Sequence, residues 1–201
     1  MSENYAADHS QLFLDYRENG DISSFERIMD IYHTPLFNYL YHLLRNKEEA
    51  EDALQEVWIK VIRQKHTYKD QGKFSSWLFR IARNFCLDQF RKKSSRTDES
   101  EIVEDKDGLS YLDRVPADSP TPYENTVEEE LLSWVEREVA KMPALIREVY
   151  ILRAVEGIPF KEIAHIQNAP LGTVLSRMHQ AVKRLQPLLQ NEENAEAANS
   201  A

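Results

Sequence analysis

The chain has 201 residues, 42% of them hydrophobic and 29% charged, with only 5 glycines and 8 prolines, a globular composition with room for long helices. Its apolar runs fall well short of the roughly 20 residues a membrane helix needs, and a single cysteine, Cys86, excludes an internal disulfide and a thiolate zinc site. The net charge of −9 argues at first against nucleic acid.

Counted by segment, the charge is uneven. Residues 1–59 carry 4 basic and 12 acidic side chains (−8), and residues 60–93 carry 10 basic and 2 acidic (+8). Residues 94–126 sum to −6, 127–159 to −3, 160–184 to +3 and 185–201 to −3. Phosphate binding follows local Lys/Arg density rather than the whole-chain sum, so two positive islands in an acidic chain predict weak DNA binding by the isolated protein. The opening Met1-Ser2-Glu3-Asn4 lacks the basic-then-apolar layout of a signal peptide, so the expected location is cytoplasmic, without membrane insertion.

In chain order, residues 22–92 read as one helical block. Leu36, Phe37, Leu40, Tyr41 and Leu44 predict an amphipathic helix with Pro35 in its first turn. Ala50, Ala53, Leu54, Val57, Trp58, Val61 and Ile62 give the cleanest helical period. Trp77, Leu78, Ile81, Ala82 and Phe85 mark a third helix, opened by Ser75 or Ser76 as N-cap. Residues 94–126 hold Pro116, Pro120, Pro122 and an acidic run with little apolar periodicity, and read as a flexible linker.

Helical spacing returns with Leu131, Trp134, Val135 and Val139, breaks at Met142-Pro143, and resumes with Leu145, Val149 and Leu152 until Gly157 and Pro159 stop it. Two shorter helices follow, Phe160 to about Gln167 and Leu171 to about Leu188. Asn191 to Ala201 read as a disordered tail.

The last two helices carry the first functional signal. Ile163 and Ala164 face inward, Asn168-Ala169-Pro170 forms a turn, and Val174, Met178, Ala181, Val182 and Leu185 supply a buried side to the second helix. Thr173, Ser176, Arg177, Gln180 and Arg184 fall on its other side. This predicts a helix-turn-helix whose second helix enters the major groove, where such side chains pair with base edges and phosphates. The alternative is an ordinary helical hairpin with a solvated face.

The first basic island has a different character. Lys60, Arg63, Lys65, Lys69 and Lys73 flank a loop holding His66, Thr67 and Tyr68, which leads to Phe74, Trp77, Arg80, Arg83, Asn84 and Arg91. Arg80, Arg83 or Asn84, Leu87 and Arg91 share a helical stripe. Cations interleaved with rings suit single-stranded nucleic acid, charges tracking the backbone and rings stacking on bases. The alternative is a solvated basic face above core aromatics.

Asp52, Ala53, Leu54, Gln55, Glu56, Val57 and Trp58, followed by Phe74 to Asn84 with Asp88, Arg91 and Lys92, closely resemble region 2 of extracytoplasmic-function (ECF) sigma factors of the sigma-70 family. Gly157 to Ala164 and Gly172 to Met178 resemble region 4. The resemblance implies an initiation factor that binds core RNA polymerase and promoter DNA. Asp52, Gln55 and Glu56 would meet polymerase, in agreement with their place on the polar face opposite Leu54 and Trp58. The loop from His66 to Lys73 would hold a flipped minus-ten base, and Arg80, Arg83, Asn84 and Arg91 the strand around it. The recognition helix would hold the minus-thirty-five element. It departs from many relatives where Leu175 and Gln180 stand in place of basic residues.

The expectation is therefore an all-α chain of two small helical domains joined by a flexible acidic linker, the C-terminal one a helix-turn-helix. The bounds are 1–93 for the region 2-like domain, 94–126 for the linker, 127–190 for the region 4-like domain and 191–201 for the tail. Many relatives are held by an anti-sigma factor, which makes such a partner an expectation here too. Cys86 reads as a small buried hydrophobe, and His33, His42, His165 and His179 lack metal-ligand spacing. No cofactor, small-molecule substrate or enzymatic activity is expected. A free-standing operator-binding regulator would explain 127–186 but leave the N-terminal island without a role; a nuclease would need carboxylate or histidine clusters that the sequence does not display.

Overall fold

The computed structural model describes residues 2–69, 73–94 and 127–199. Four helices make up the N-terminal part: α1 (Ser2–Asn19), α2 (Ile22–Leu44), α3 (Lys47–Gln64) and, after a 3₁₀ turn at Lys65–Thr67, α4 (Phe74–Ser94). The C-terminal part holds α5 (Val127–Ala140), α6 (Ala144–Tyr150) prolonged by a π turn at Ile151–Val155, α7 (Phe160–Gln167) and α8 (Leu171–Asn199). Among the described residues there is no strand, and no helix is long and apolar enough to cross a membrane. The linker expected at 94–126 lies, from Ser95 onward, outside the described residues.

Local chemistry sets the helix ends. Asp21 caps α2 by accepting the Ser23 N–H at 3.0 Å, and Asn46 caps α3 by accepting the Glu49 N–H at 3.0 Å. Glu48 and Glu49 in the first turn of α3 complement its N-terminal partial charge. Gly157, at φ 69°, takes the left-handed conformation that ends the π turn, and Asn168, at φ 50°, does the same between α7 and α8.

Several sequence expectations need correction. Helix α1 was not foreseen, yet it places Leu12, Phe13 and Tyr16 in the core. Pro35 does not open a helix; it sits inside α2, which begins 13 residues earlier at Ile22. The backbone bond that proline forfeits is offset by burial on both sides of it, through Ile28, Tyr32, Leu36, Tyr39 and Leu40. Ser75 and Ser76 are not caps, because α4 has already begun at Phe74 and the Lys73 carbonyl accepts the Trp77 N–H. Ile62 and Val182, expected inside, are 43% and 46% exposed. The backbone of α8 runs on through 191–199, where a disordered tail was expected, over a stretch rich in the helix formers Ala and Glu and without Gly or Pro.

Phe13, Tyr39, Phe74, Leu78, Phe79 and Phe90 are fully buried at the centre of the N-terminal part. The same apolar cluster continues into the C-terminal part through Ala144, Val149, Ile151, Leu152, Ile163, Ile166 and Val174. A smaller cluster of Val139, Met142, Ile146, Ala181 and Leu185 ties α5, α6 and α8 together. The two domains are thus docked, with α4 against α7 as the main seam.

Candidate nucleic-acid interface

Three surfaces hold the residues singled out from sequence. The first is the outer face of α3, where Asp52, Gln55 and Glu56 are all exposed. The helical repeat puts Ile59 and Ile62, 38% and 43% exposed, on the same side. Sequence reasoning missed this apolar component because it counted Ile62 towards the core. Acidic and apolar groups side by side suit a protein partner better than DNA phosphates.

The second surface is a cleft lined by Thr67, Tyr68, Lys69, Lys73, Ser76, Trp77, Arg80 and His165. His66, Thr67, Lys69, Lys73 and Arg80 are exposed, with Asn84 and Arg91 further along α4; Arg91 bonds Asp88 at 3.1 Å. The aromatic residues behave otherwise. Tyr68, Phe74 and Trp77 are only 3%, 1% and 8% exposed, packed around Phe13 with ring centroids 4.6–5.3 Å from it. Their expected role as open stacking platforms is corrected: α1 packs against all three, Tyr68 and Trp77 form the floor of the cleft, and Phe74 packs against both rings without lining it. Leu87, on the expected cationic stripe, is buried as well.

Helix α1 also fixes the ends of the loop. Arg17 Nη1 donates to the Tyr68 carbonyl at 2.7 Å, and Ser10 Oγ receives the Tyr68 hydroxyl at 3.0 Å and the Phe74 N–H at 3.4 Å. Lys65 Nζ lies 4.8 Å from the Tyr16 ring centroid, a cation–π contact. Nothing in residues 1–21 signalled this, because the loop that α1 anchors lies some fifty residues or more away in sequence.

The third surface is the exposed side of α8. Ser176, Gln180 and Arg184 are open to solvent, with Gln180 Nε2 donating to Ser176 Oγ at 3.4 Å, and Thr173 is half-buried. Arg177 is half-buried too: its Nη1 donates to Gln167 Oε1 at 2.7 Å, and burial holds its guanidinium below the usual arginine range.

Arg83, expected beside Arg80 and Asn84, instead points into the seam between the domains. It is 8% exposed, and its Nε donates to both carboxylate oxygens of Glu148, at 3.1 and 3.3 Å. Glu148, 1% exposed, also accepts from the Tyr39 hydroxyl and from Gln167 Nε2, each at 2.7 Å. Burial and the neighbouring Glu148 charge both push the Tyr39 hydroxyl well above the ordinary tyrosine range. Nearby, Ser75 Oγ donates to Glu162 Oε2 at 3.2 Å and Ser76 Oγ to the Glu162 carbonyl at 3.4 Å. Burial raises the Glu162 carboxyl above its usual range, against the lowering effect of Ser75, Lys73 and His165. Cys86 is buried as expected, and burial raises its thiol.

Comparison with known proteins adds to this geometry. Residues 28–96 match the sigma-70 region 2 family model, and residues 132–185 match the sigma-70 region 4 model. The chain is 32% identical over 174 residues to the ECF RNA polymerase sigma factor SigW of Bacillus subtilis, covering 87% of this chain and 93% of SigW. Its fold is similar to that of the sigma factor RpoE solved with the anti-sigma factor NepR from Bartonella quintana, with a TM-score of 0.63 at 23% identity, over 83% of this chain and 96% of RpoE. It is also similar to CnrH solved with the cytosolic domain of CnrY, with a TM-score of 0.61 at 19% identity, over 92% of this chain and 98% of that one.

Proposed function

Because this chain belongs to the sigma-70 family, in its extracytoplasmic-function group, we propose that its three surfaces divide the work of promoter recognition among themselves. As a member it is a non-catalytic transcription initiation factor: the polymerase supplies the chemistry of RNA synthesis. The outer face of α3, with Asp52, Gln55 and Glu56 beside Ile59 and Ile62, docks on core RNA polymerase. The cleft edged by Thr67, Lys69, Lys73 and Arg80 receives the opened minus-ten strand. Helix α8 enters the major groove of the minus-thirty-five element as the second helix of a helix-turn-helix.

The observation that carries this division is the cleft. Four exposed groups that can bind phosphate or a base edge surround a floor of buried rings, next to a loop anchored at both ends by α1. A duplex reader needs no such concavity, whereas a strand-opening protein must give an unpaired base somewhere to go. In this reading Phe74 shapes the floor from beneath and touches no base. The protein works in the cytoplasm, where polymerase and promoter are. An anti-sigma partner belongs to the reading, on the precedent of RpoE solved with the anti-sigma factor NepR. Run-off transcription with core RNA polymerase on a genomic promoter library tests it: discrete transcripts that depend on this chain are the expected result, and none above core polymerase alone would refute it.

A further inference from the structure

Helix α1 lies ahead of the region 2 match, which begins at residue 28, and none of its residues lines the cleft. Both ends of the loop between Tyr68 and Phe74 are nevertheless tied to it. Ser10, only 3% exposed, accepts through Oγ from two donors, the Tyr68 hydroxyl and the Phe74 N–H at the start of α4. A hydroxyl oxygen has two lone pairs, and here each end of the loop takes one. The Phe74 N–H is one of the first-turn donors that a helix cannot satisfy from within. Neither Ser75 nor Ser76 caps α4; Ser10 does so from another helix, 64 residues upstream. Arg17 holds the Tyr68 end a second way, by donating from Nη1 to its carbonyl at 2.7 Å.

The consequence falls on the residues beside these anchors. Thr67 and Lys69, the chain neighbours of Tyr68, line the cleft together with Lys73, the neighbour of Phe74. Thr67 Oγ1 donates to the Gln64 carbonyl at 2.8 Å, so its lone pairs remain to accept beside the donors of Lys69 and Lys73. An acceptor and donors held at fixed spacing match some base edges and not others, whereas a loop free to move adapts to each of them. Discrimination is a difference of affinities, and an adaptable surface gives it away.

We propose that Ser10 and Arg17 are positioning residues for the minus-ten base: through the loop, and without contact to DNA, they set which base the cleft accepts. The proposal rests on the assignment of the cleft to the opened strand.

The test uses the full chain with core RNA polymerase and a promoter library randomised across the minus-ten element, with transcripts counted by sequencing. Ser10→Ala removes the acceptor shared by the two loop ends. Arg17→Met keeps an unbranched apolar stem and removes the donors from a half-buried position, so it stays decisive if loss of the cap unfolds Ser10→Ala. In each variant that retains its helical circular dichroism, preference among minus-ten bases should flatten by up to about tenfold, the worth of one hydrogen bond. Preference at the minus-thirty-five element and affinity for core polymerase should not change. Transcription that falls alike on every minus-ten sequence would show a merely structural role and overturn the proposal, as would native preferences in Arg17→Met. The Lys69→Ala, Lys73→Ala, Arg80→Ala chain separates the two levels of failure. If it keeps the native minus-ten preference, the assignment of the cleft fails and the proposal falls with it. If it loses that preference while both α1 variants keep it, the proposal alone is overturned.

Discussion

The outer face of α3 and the inner face of α4 belong to one domain and carry opposite fates. On α3, Asp52, Gln55 and Glu56 stand exposed beside two exposed isoleucines, and the docked C-terminal domain leaves them open. On α4, Arg83 is buried against a carboxylate contributed by that domain, and the adjoining cleft has His165 in its wall. The difference teaches that the neighbours a charged side chain meets, and not its charge, decide whether it faces a partner or the inside of the molecule.

The largest expected effect breaks the covered side alone. Arg83→Ala leaves Glu148 buried without its ion-pair partner, and loss of one member of a buried pair typically costs about 3–5 kcal/mol. Chemical denaturation should show this in the docked chain, while affinity for core polymerase stays unchanged; equal loss of core binding would show that the two faces are not independent. The converse change is Asp52→Ala with Glu56→Ala. Truncating one charged partner at a desolvated interface costs on the order of 2 kcal/mol or more, so core affinity should fall steeply in a binding titration without altering the stability of the free chain.

Smaller effects sharpen the account of α8. Arg177→Ala should cost about 1–3 kcal/mol of minus-thirty-five binding and relax base preference, if its guanidinium reads a guanine once released from Gln167. Arg184→Ala should weaken all sequences alike and reduce the salt slope by about one unit. Binding isotherms on consensus and scrambled duplexes at several salt concentrations separate the two roles, and the reverse pattern would exchange them.

A pH dependence should appear at the far end of the seam. Burial, with Arg45 and Arg147 beside it, lowers the His42 pKa from 6.5 to about 4, and Arg45 Nη2 donates to the Ala140 carbonyl of the other domain at 2.6 Å. The folded value is below the unfolded one, so the contribution of His42 to stability is present above pH 6.5 and is lost as pH falls towards 4. The limiting slope is about 1.4 kcal/mol per pH unit. Thermal melts of the native chain and His42→Gln between about pH 7 and pH 4 should diverge in that window and nowhere above it.

Helices α3 and α4 were legible because their apolar residues recur at helical spacing for several turns, and the turn before α8 because Asn168 and Pro170 punctuate it. Helix α1 was not legible: Leu12, Phe13 and Tyr16 form a short apolar stripe whose meaning depends on Tyr68, Phe74 and Trp77, which are distant in sequence. The cations of the first island were found by counting charge, but counting could not say that Arg83 turns inward while Arg80 and Asn84 face out. Glu148 looked like one acid among several in a segment of net charge −3; its partner Arg83 lies 65 residues upstream. Periodicity reports which side of a helix is buried, and it carries no information about what the other domain brings to meet it.

The claim on which the rest depends is that the Lys69, Lys73 and Arg80 cleft holds an opened strand. The direct measurement is permanganate reactivity of minus-ten thymines on a promoter bound by core polymerase and this chain, compared with the Lys69→Ala, Lys73→Ala, Arg80→Ala variant. The account predicts that reactivity disappears in the variant while core affinity and protection of the minus-thirty-five element remain. Undiminished thymine reactivity in the variant would contradict it, and would leave these three cations as no more than a solvated basic face.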